Sequence, residues 1–324
     1  MAITNIASNL GLFHIDEALS QFALGYAQSA DAFIADQIAP PLMVEKQSDV
    51  YYIGGTEHLQ KVDASRGPGG AFKNVTFAVS EDTYNAKFYG LQNALPWELP
   101  ANADAAIDPV QEAVTEIVDL MMLRSEVAVA TLMTTGGNWT GSGACAGTWR
   151  TLTGGVSDHD PVLDIEAAKT TVVDNCGHLP NTMFMNYPQW VTLRNNTFIK
   201  ARVLNTMPGA LVTPAIVAGL LDLDQVLVAK AVYATSEVGA TPTMDYVWPT
   251  GTVGLAYIDN RVGPLRAKGI TPARQFVWTV MGGRFATRSF PFDPTMSTVT
   301  QVVDYVDEKV CVAGACTLLT GCNA

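Results

Sequence analysis

Residues 108–137, DPVQEAVTEIVDLMMLRSEVAVATLMTTGG, restrict the possible folds more than any other stretch of the chain. Asp108 is suited to cap a helix. Pro109 suits its first position, where the missing N–H has no partner to lose. Gln111 and Glu112 fall in the first turn. Val110, Ala113, Val114, Ile117, Met121, Ala128 and Leu132 share one face, widened by Leu120, Leu123 and Val127, and Gly136-Gly137 closes the run. The spacing predicts a helix over 109–134, about 39 Å long at 1.5 Å per residue. Globular helices average about 11–12 residues. A rod of this length must cross a whole domain, and elements on both sides must lean on it.

The chain upstream of the rod reads differently. Phe33, Ile34 and Ile38 form a short packing face in a helical or irregular start, in which Asp16 is a candidate cap. Pro40-Pro41 then stops any helix, because proline has no N–H and pushes its predecessor to extended geometry. Residues 50–95 are strand-like: VYYI is β-branched and aromatic, AFKNVTFAVS alternates, and Tyr84, Phe88 and Tyr89 continue the pattern. Between the runs lies DASRGPGG (63–70), which is turn chemistry. The expectation is a long hairpin with an untethered tip. A lone two-stranded hairpin is marginal in water, so it should lie on its own body or on a neighbouring subunit.

Downstream, Trp139 and Trp149 mark a Gly/Ser/Thr-rich loop that must pack somewhere. A helix follows with Asp160 as cap, Pro161 at its first position and Gly177 past its end. Thr182 to Met185 reads as a buried strand, and Pro188 opens a helix anchored by Trp190 and Leu193. Further strands are expected over 225–233, 253–258 and 274–280, with two more around Asp307-Glu308. The fold class is α+β, with an α/β region in its second half.

Composition narrows the function. The 324 residues are 48% apolar and only 15% charged, against roughly 25% in an average globular chain. That thin charge fits a large core or extensive subunit contacts. Net charge is −12, and the first 45 residues hold neither Lys nor Arg. This argues against a basic nucleic-acid arm, a secretory leader or a transit peptide, and no apolar run approaches the roughly 18 residues of a membrane span. A soluble chain made in the cytosol is expected.

Reactive constellations are missing. His14, His58, His159 and His178 have no metal spacing, and GxSxG, GxGxxG and the phosphate-loop pattern do not occur. Asp158-His159-Asp160 precedes Pro161 and reads as helix capping. The five cysteines are odd in number and irregularly spaced, so reduced thiols are expected. A zinc site from Cys311, Cys316 and Cys322 lacks a fourth ligand. No catalytic, cofactor or metal residue is assigned.

FIADQIAPPLMVEKQSDVYYI, the rod with LRSEVAVATLM, and GTWRTLTGGVSDHDPVLDIEAAKTTVVDNCGHLPNTMFMNYPQWVTLRNN stand in an order that resembles the major capsid proteins of tailed bacteriophages, the HK97-like fold. RQFVWT and the C-terminal strands resemble its closing segments. The resemblance implies an N-terminal arm over 1–49, an extended E-loop hairpin over 50–97 and a peripheral domain over 98–165 with its spine helix at 109–134. It further implies an axial domain over 166–282, and C-terminal strands over 283–324 that return to the peripheral domain. It implies no enzyme but a self-assembling virion protein, made in the host cytoplasm. Its hexamers and pentamers would close an icosahedral shell around double-stranded DNA, without sequence-specific binding. Separate scaffolding, portal and decoration proteins are the further partners implied. In such a shell the hairpin lies on the adjacent subunit, which makes Tyr51, Tyr52, Lys61, Arg66, Phe72, Lys73 and Phe77 candidate contact residues. The alternatives are an encapsulin-like nanocompartment shell and, in another class, a cytosolic α/β hydrolase or binding protein.

Overall fold

The computed structural model describes residues 32–53, 61, 63–70, 72, 74, 80–98, 100, 109–150, 159–206, 209, 211–236, 241, 243–259 and 269–323. In chain order its elements are α1 (Ala35–Ile38), β1 (Pro41–Val44), β2 (Ser48–Ile53), β3 (Ser80–Asn85), β4 (Lys87–Pro96), α2 (Pro109–Thr134), β5 (Gly143–Ala144), α3 (Pro161–Cys176), β6 (Thr182–Asn186), α4 (Tyr187–Asn195), α5 (Thr197–Thr206), α6 (Pro214–Leu220), β7 (Gln225–Ala229), β8 (Val232–Ala234), β9 (Met244–Tyr246), β10 (Val253–Ala256), β11 (Ala273–Trp278), β12 (Ala286–Phe292), β13 (Ser297–Val310) and β14 (Cys316–Thr320).

Two five-stranded sheets organise them. The first runs β1-β11-β13-β12, with β4 on the other edge of β13. β13 is its axis: 14 residues long, it pairs with β12 over 297–303, with β11 over 306–310 and with β4 over 297–306. The second sheet runs β5-β14-β10-β6-β7. Every residue of β6 is buried because both faces of that sheet are covered. Met183 and Met185 enter a cluster with Ile165 of α3, Trp190 and Leu193 of α4 and Ile199 of α5. Phe184, on the opposite face, packs with Trp248, Leu318 and the end of α2. β10 pairs antiparallel with β6, and at Gly254, opposite Phe184, any Cβ would overlap the Phe184 ring.

The predicted rod is present with its predicted bounds, Pro109–Thr134. Its first half, through Val114, Ile117, Val118, Met121 and Met122, packs on Val302 and Phe285 at the first sheet. Its second half, through Val129, Ala130 and Met133, packs on the second sheet. The buried stripe differs from the expected one. Ala128 and Leu132 are half-buried, and Leu120 and Val127 are exposed. The stripe runs instead through Ser125 and Glu126, polar residues that continue the 3.6-residue period from Met121-Met122 to Val129-Ala130.

Local signals located α3 as well. Asp160 accepts from the Val162 amide (3.1 Å), Pro161 is the first residue and Gly177 follows the last. Ile34 and Ile38 are buried as expected, and Trp139 and Trp149 do pack inside.

Four expectations need correction. Residues 87–96 are not a hairpin rail: β4 pairs along β13 and belongs to the body. Residues 225–233 form two strands in different sheets, β7 against β6 and β8 against β9. Asp307-Glu308 lies inside β13 rather than between two strands. The C-terminal stretch divides, with β12 and β13 in the first sheet and β14 in the second. Finally, the cysteines are not all thiols: Cys145 is bonded to Cys322.

Candidate assembly surface

The hairpin expected to make contact does exist at its base. β2 and β3 pair antiparallel from Ser48↔Asn85 to Ile53↔Ser80. Strand alternation turns Asp49, Tyr51 and Ile53 toward the body and Ser48, Val50 and Tyr52 outward. Tyr51 and Tyr84 lie on the Phe276 ring of β11, at centroid distances of 4.9 and 4.6 Å. The Tyr51 hydroxyl is shared between Asp82 Oδ2 (2.9 Å) and the Val310 carbonyl (3.0 Å). Burial, followed by the bond to Asp82, pushes the Tyr51 phenol far above its ordinary value. The Thr83 amide and then Tyr51 hold Asp82 below its own. The Asn85 amide donates to Asp307 (2.8 Å), and the Tyr84 hydroxyl to the Lys46 carbonyl (3.2 Å). The arm is thus hinged to the outer face of the first sheet, opposite α2.

At the tip, Gly67-Pro68-Gly69-Gly70 closes with the Gly70 amide donating to the Gly67 carbonyl (3.1 Å). Gly69 has φ 81°, the positive value that the third residue of a type II turn requires. The Arg66 guanidinium lies 4.5 Å from the Phe72 ring centre, and Phe72 is 82% exposed. Of the seven candidate contact residues, Tyr51 is turned inward as an anchor. Tyr52 (53% exposed), Lys61, Arg66 and Phe72 face solvent. Lys73 and Phe77 lie outside the described residues. The body adds exposed apolar groups that the sequence did not mark as contacts: Met43 of β1 and Phe88 and Leu91 of β4.

The seam between the two sheets is polar, and sequence reasoning missed it. Glu126 of α2 is fully buried, and its carboxylate accepts from the amides of Ile34 (3.1 Å) and Ala35 (2.8 Å) and from the Trp248 indole (2.5 Å). Burial raises its pKa, and these three bonds only partly oppose the rise. Arg284 donates to Asp36 (2.5 Å) and Ser125 (2.8 Å) and lies 3.5 Å from Asp304. Burial works against its charge, but Asp36 and Asp304 outweigh it and hold the guanidinium above its ordinary value. Arg124 pairs with Glu308 at 3.0 Å and covers the Tyr89 ring. These side chains bind α1, α2 and both sheets into one body. An ionisable residue inside the apolar stripe of a long helix was the signal available for Glu126.

Nothing described pairs a nucleophile with a base. Asp164 is occupied by the Trp149 indole (2.8 Å), His159 (3.1 Å) and the Ala146 amide (3.3 Å), and Asp160 by Arg202 (2.8 Å). Among the described residues no group of His, Cys, Asp or Glu converges on a metal position, and no helix is long and apolar enough to cross a membrane. What the arrangement offers is contact surface on a rigid body.

Known proteins with related sequences and folds point the same way. No family model matches the chain. It is 24% identical over 242 residues to the major capsid protein of Pseudomonas phage JBD67, covering 73% of this chain and 75% of the relative. It is 23% identical over 253 residues to the major capsid protein of Burkholderia phage BcepMu, covering 77% and 78%. A crystal structure of a phage-related protein from Bordetella bronchiseptica RB50 matches with TM-score 0.71 at 20% identity, over 96% of this chain and 98% of that one. The capsid structure of cyanophage P-SCSP1u matches with TM-score 0.59 at 12% identity, over 90% and 89%. In sequence and in fold, the chain resembles the major capsid proteins of bacteriophages, as the order of its segments led us to expect.

Proposed function

We propose that the chain is a shell-forming structural protein of a phage virion. It assembles through hexamers and pentamers into an icosahedral shell around double-stranded DNA. The observation that carries this reading is the arm, anchored at its base by Tyr51 and Tyr84 and ending in a phenylalanine that is 82% exposed. One exposed aromatic alone is ordinary; with Tyr52 on the same arm and Met43, Phe88 and Leu91 on the body, Phe72 adds to apolar surface that a partner could cover. In this reading the arm lies across a neighbouring subunit, with Tyr52, Lys61, Arg66, Phe72, Lys73 and Phe77 at the contact and Tyr51 as its hinge. The first sheet with α2 forms the peripheral unit, and the second sheet with α3 to α6 the axial unit. In this reading residues 1–49 are the N-terminal arm, seated on the body through α1 and β1. Scaffolding, portal and decoration proteins are separate partners, and the shell forms in the host cytoplasm.

Electron microscopy of the purified chain, with light scattering across a concentration series, tests the reading. Capsomers or closed shells are expected. A strictly monomeric protein at every concentration overturns it. Nuclease-protected DNA inside shells isolated from the host supports the viral form. Shells that hold enzymes and no DNA point instead to a cellular compartment.

A further inference from the structure

Cys145 and Cys322 are joined by a disulfide across a sequence separation of 177, with Cα atoms 5.4 Å apart. Cys145 follows β5, a strand of two residues that pairs in parallel with Leu319 and Thr320 of β14. Beside the bond, the Cys145 amide donates to the Thr320 carbonyl (2.8 Å), the Trp149 amide to the Cys322 carbonyl (2.9 Å) and the Cys322 amide to the Gly251 carbonyl (3.0 Å). The loop TGSGACAG (140–147) brings no large apolar side chain to this edge. So short an edge strand is marginal without further support. The Thr140 amide on Ala313, the Ala146 amide on Asp164 and the Thr320 hydroxyl on Gly143 also hold the loop, and the disulfide adds a covalent tie between it and the last residues.

The other cysteines are built differently. Cys176 and Cys316 are buried and Cys311 is half-buried. Burial pushes the Cys176 and Cys316 thiols up, and that of Cys311 up to about 12. Thiols without thiolate at neutral pH do not exchange. Of the bonded pair, Cys322 is fully buried and Cys145 half-buried, so a reagent enters at Cys145.

We propose that Cys145 and Cys322 form a redox lock on the end of the chain: oxidation staples the end of β14 to the glycine-rich loop, and reduction frees both while the body stays folded. In opening, a glutathione thiolate attacks Cys145 Sγ. The S–S bond breaks and its electron pair leaves on Cys322 Sγ, which takes a proton. A second glutathione thiolate attacks the mixed disulfide, releasing Cys145 as a thiol and leaving as glutathione disulfide. Closing runs the same path backward, with glutathione disulfide as the two-electron oxidant. The body survives because Trp149, Val253 and Leu319 remain in one apolar cluster and Trp248 and Leu318 in the other.

The test uses the full chain, oxidised with glutathione disulfide and reduced with dithiothreitol. Peptide mass spectrometry of the oxidised form should find one linked pair, Cys145 with Cys322. Reduction should lower the melting temperature by roughly 5–10 °C, given the long loop that is opened. It should also expose residues 140–147 to limited proteolysis, and reoxidation should restore both properties. Cys145→Ser should behave as the reduced form in either buffer, and Cys311→Ser as wild type. Should Cys145→Ser fail to fold, the reversible response of the wild-type chain still decides the matter. No linked peptide, a different pair, or melting and proteolysis unchanged by reduction overturns the proposal.

Discussion

Glu126 has two carboxylate oxygens, three N–H donors and no exposure to water. Removing it leaves the Ile34 and Ala35 amides and the Trp248 indole buried without an acceptor. Glu126→Ala should therefore cost about 3–5 kcal/mol, read as a lower urea midpoint with unchanged slope. Its titration gives a second, independent expectation. Burial lifts the carboxyl above its ordinary 4.5 in the folded chain. A carboxyl raised by folding favours the fold most below its unfolded value, and that contribution is lost as pH rises through the folded value. Asp304 is shifted the same way, by burial against the pull of Arg284 and Arg124. Relative to Glu126→Gln, the wild-type chain should thus lose stability as pH rises from about 4 into the mildly acid range. Melting curves of the two proteins across that range decide it, and parallel profiles would remove Glu126 from the account. The sequence carries only a hint of this residue. A glutamate on the apolar face of a helix announces a buried partner, but Ile34, Ala35 and Trp248 lie about 90 to 120 positions away, and no spacing rule reaches them.

At the scale of elements the arm makes the clearest prediction. Its base is fixed by the two tyrosines on Phe276, and its tip makes a turn of its own. Deleting about residues 60–72 should leave the melting temperature of the body nearly unchanged and block or weaken shell assembly. Normal assembly of the deletion refutes the role given to the arm. Tyr84→Ala should do the reverse, because it removes a buried ring stacked on Phe276. A loss of about 3–5 kcal/mol is expected, measured by chemical unfolding of the unassembled chain. The contrast separates a contact element from its anchor. It also explains which elements were legible. α3 carries its cap Asp160, Pro161 and Gly177 within its own sequence and α2 its first-position Pro109, so they could be located from it, although Asp108, the cap expected for α2, lies outside the described residues. β4 could not, because its partner lies some 200 residues downstream in β13, and a body strand and a hairpin rail share the same aromatic, alternating composition. β7 and β8 were merged for a related reason. Lys230 and Ala231 look like strand residues, and only the pairing of β8 with β9 reveals the break. The disulfide escaped for the same reason, since irregular spacing says nothing about two residues that meet at the edge of the second sheet.

For the whole molecule, charge has to be read together with where the charges are spent. The net value is −12, and many basic side chains are already engaged within the chain. Arg274 is buried, donating to the Asp259 and Gly269 carbonyls. Arg284 and Arg124 belong to the seam, Arg202 holds Asp160, and Lys46 holds Asp49. Acidic side chains outnumber basic ones by 31 to 19, so a phosphate backbone meets net repulsion from the chain as a whole. A protein that contacts Z phosphates of duplex DNA loses affinity with salt at a logarithmic slope of about −0.9Z. For the capsomers proposed above both the affinity and the slope should be small, so that binding at about 100 mM salt is barely detectable and changes little on dilution. Fluorescence anisotropy of labelled duplex DNA, titrated with assembled capsomers over a salt series, measures both quantities. Tight binding that falls steeply with added salt would mean that the arm residues Lys61, Arg66 and Lys73, or other lysines, converge into a basic surface on assembly. The wall would then grip its contents rather than repel them.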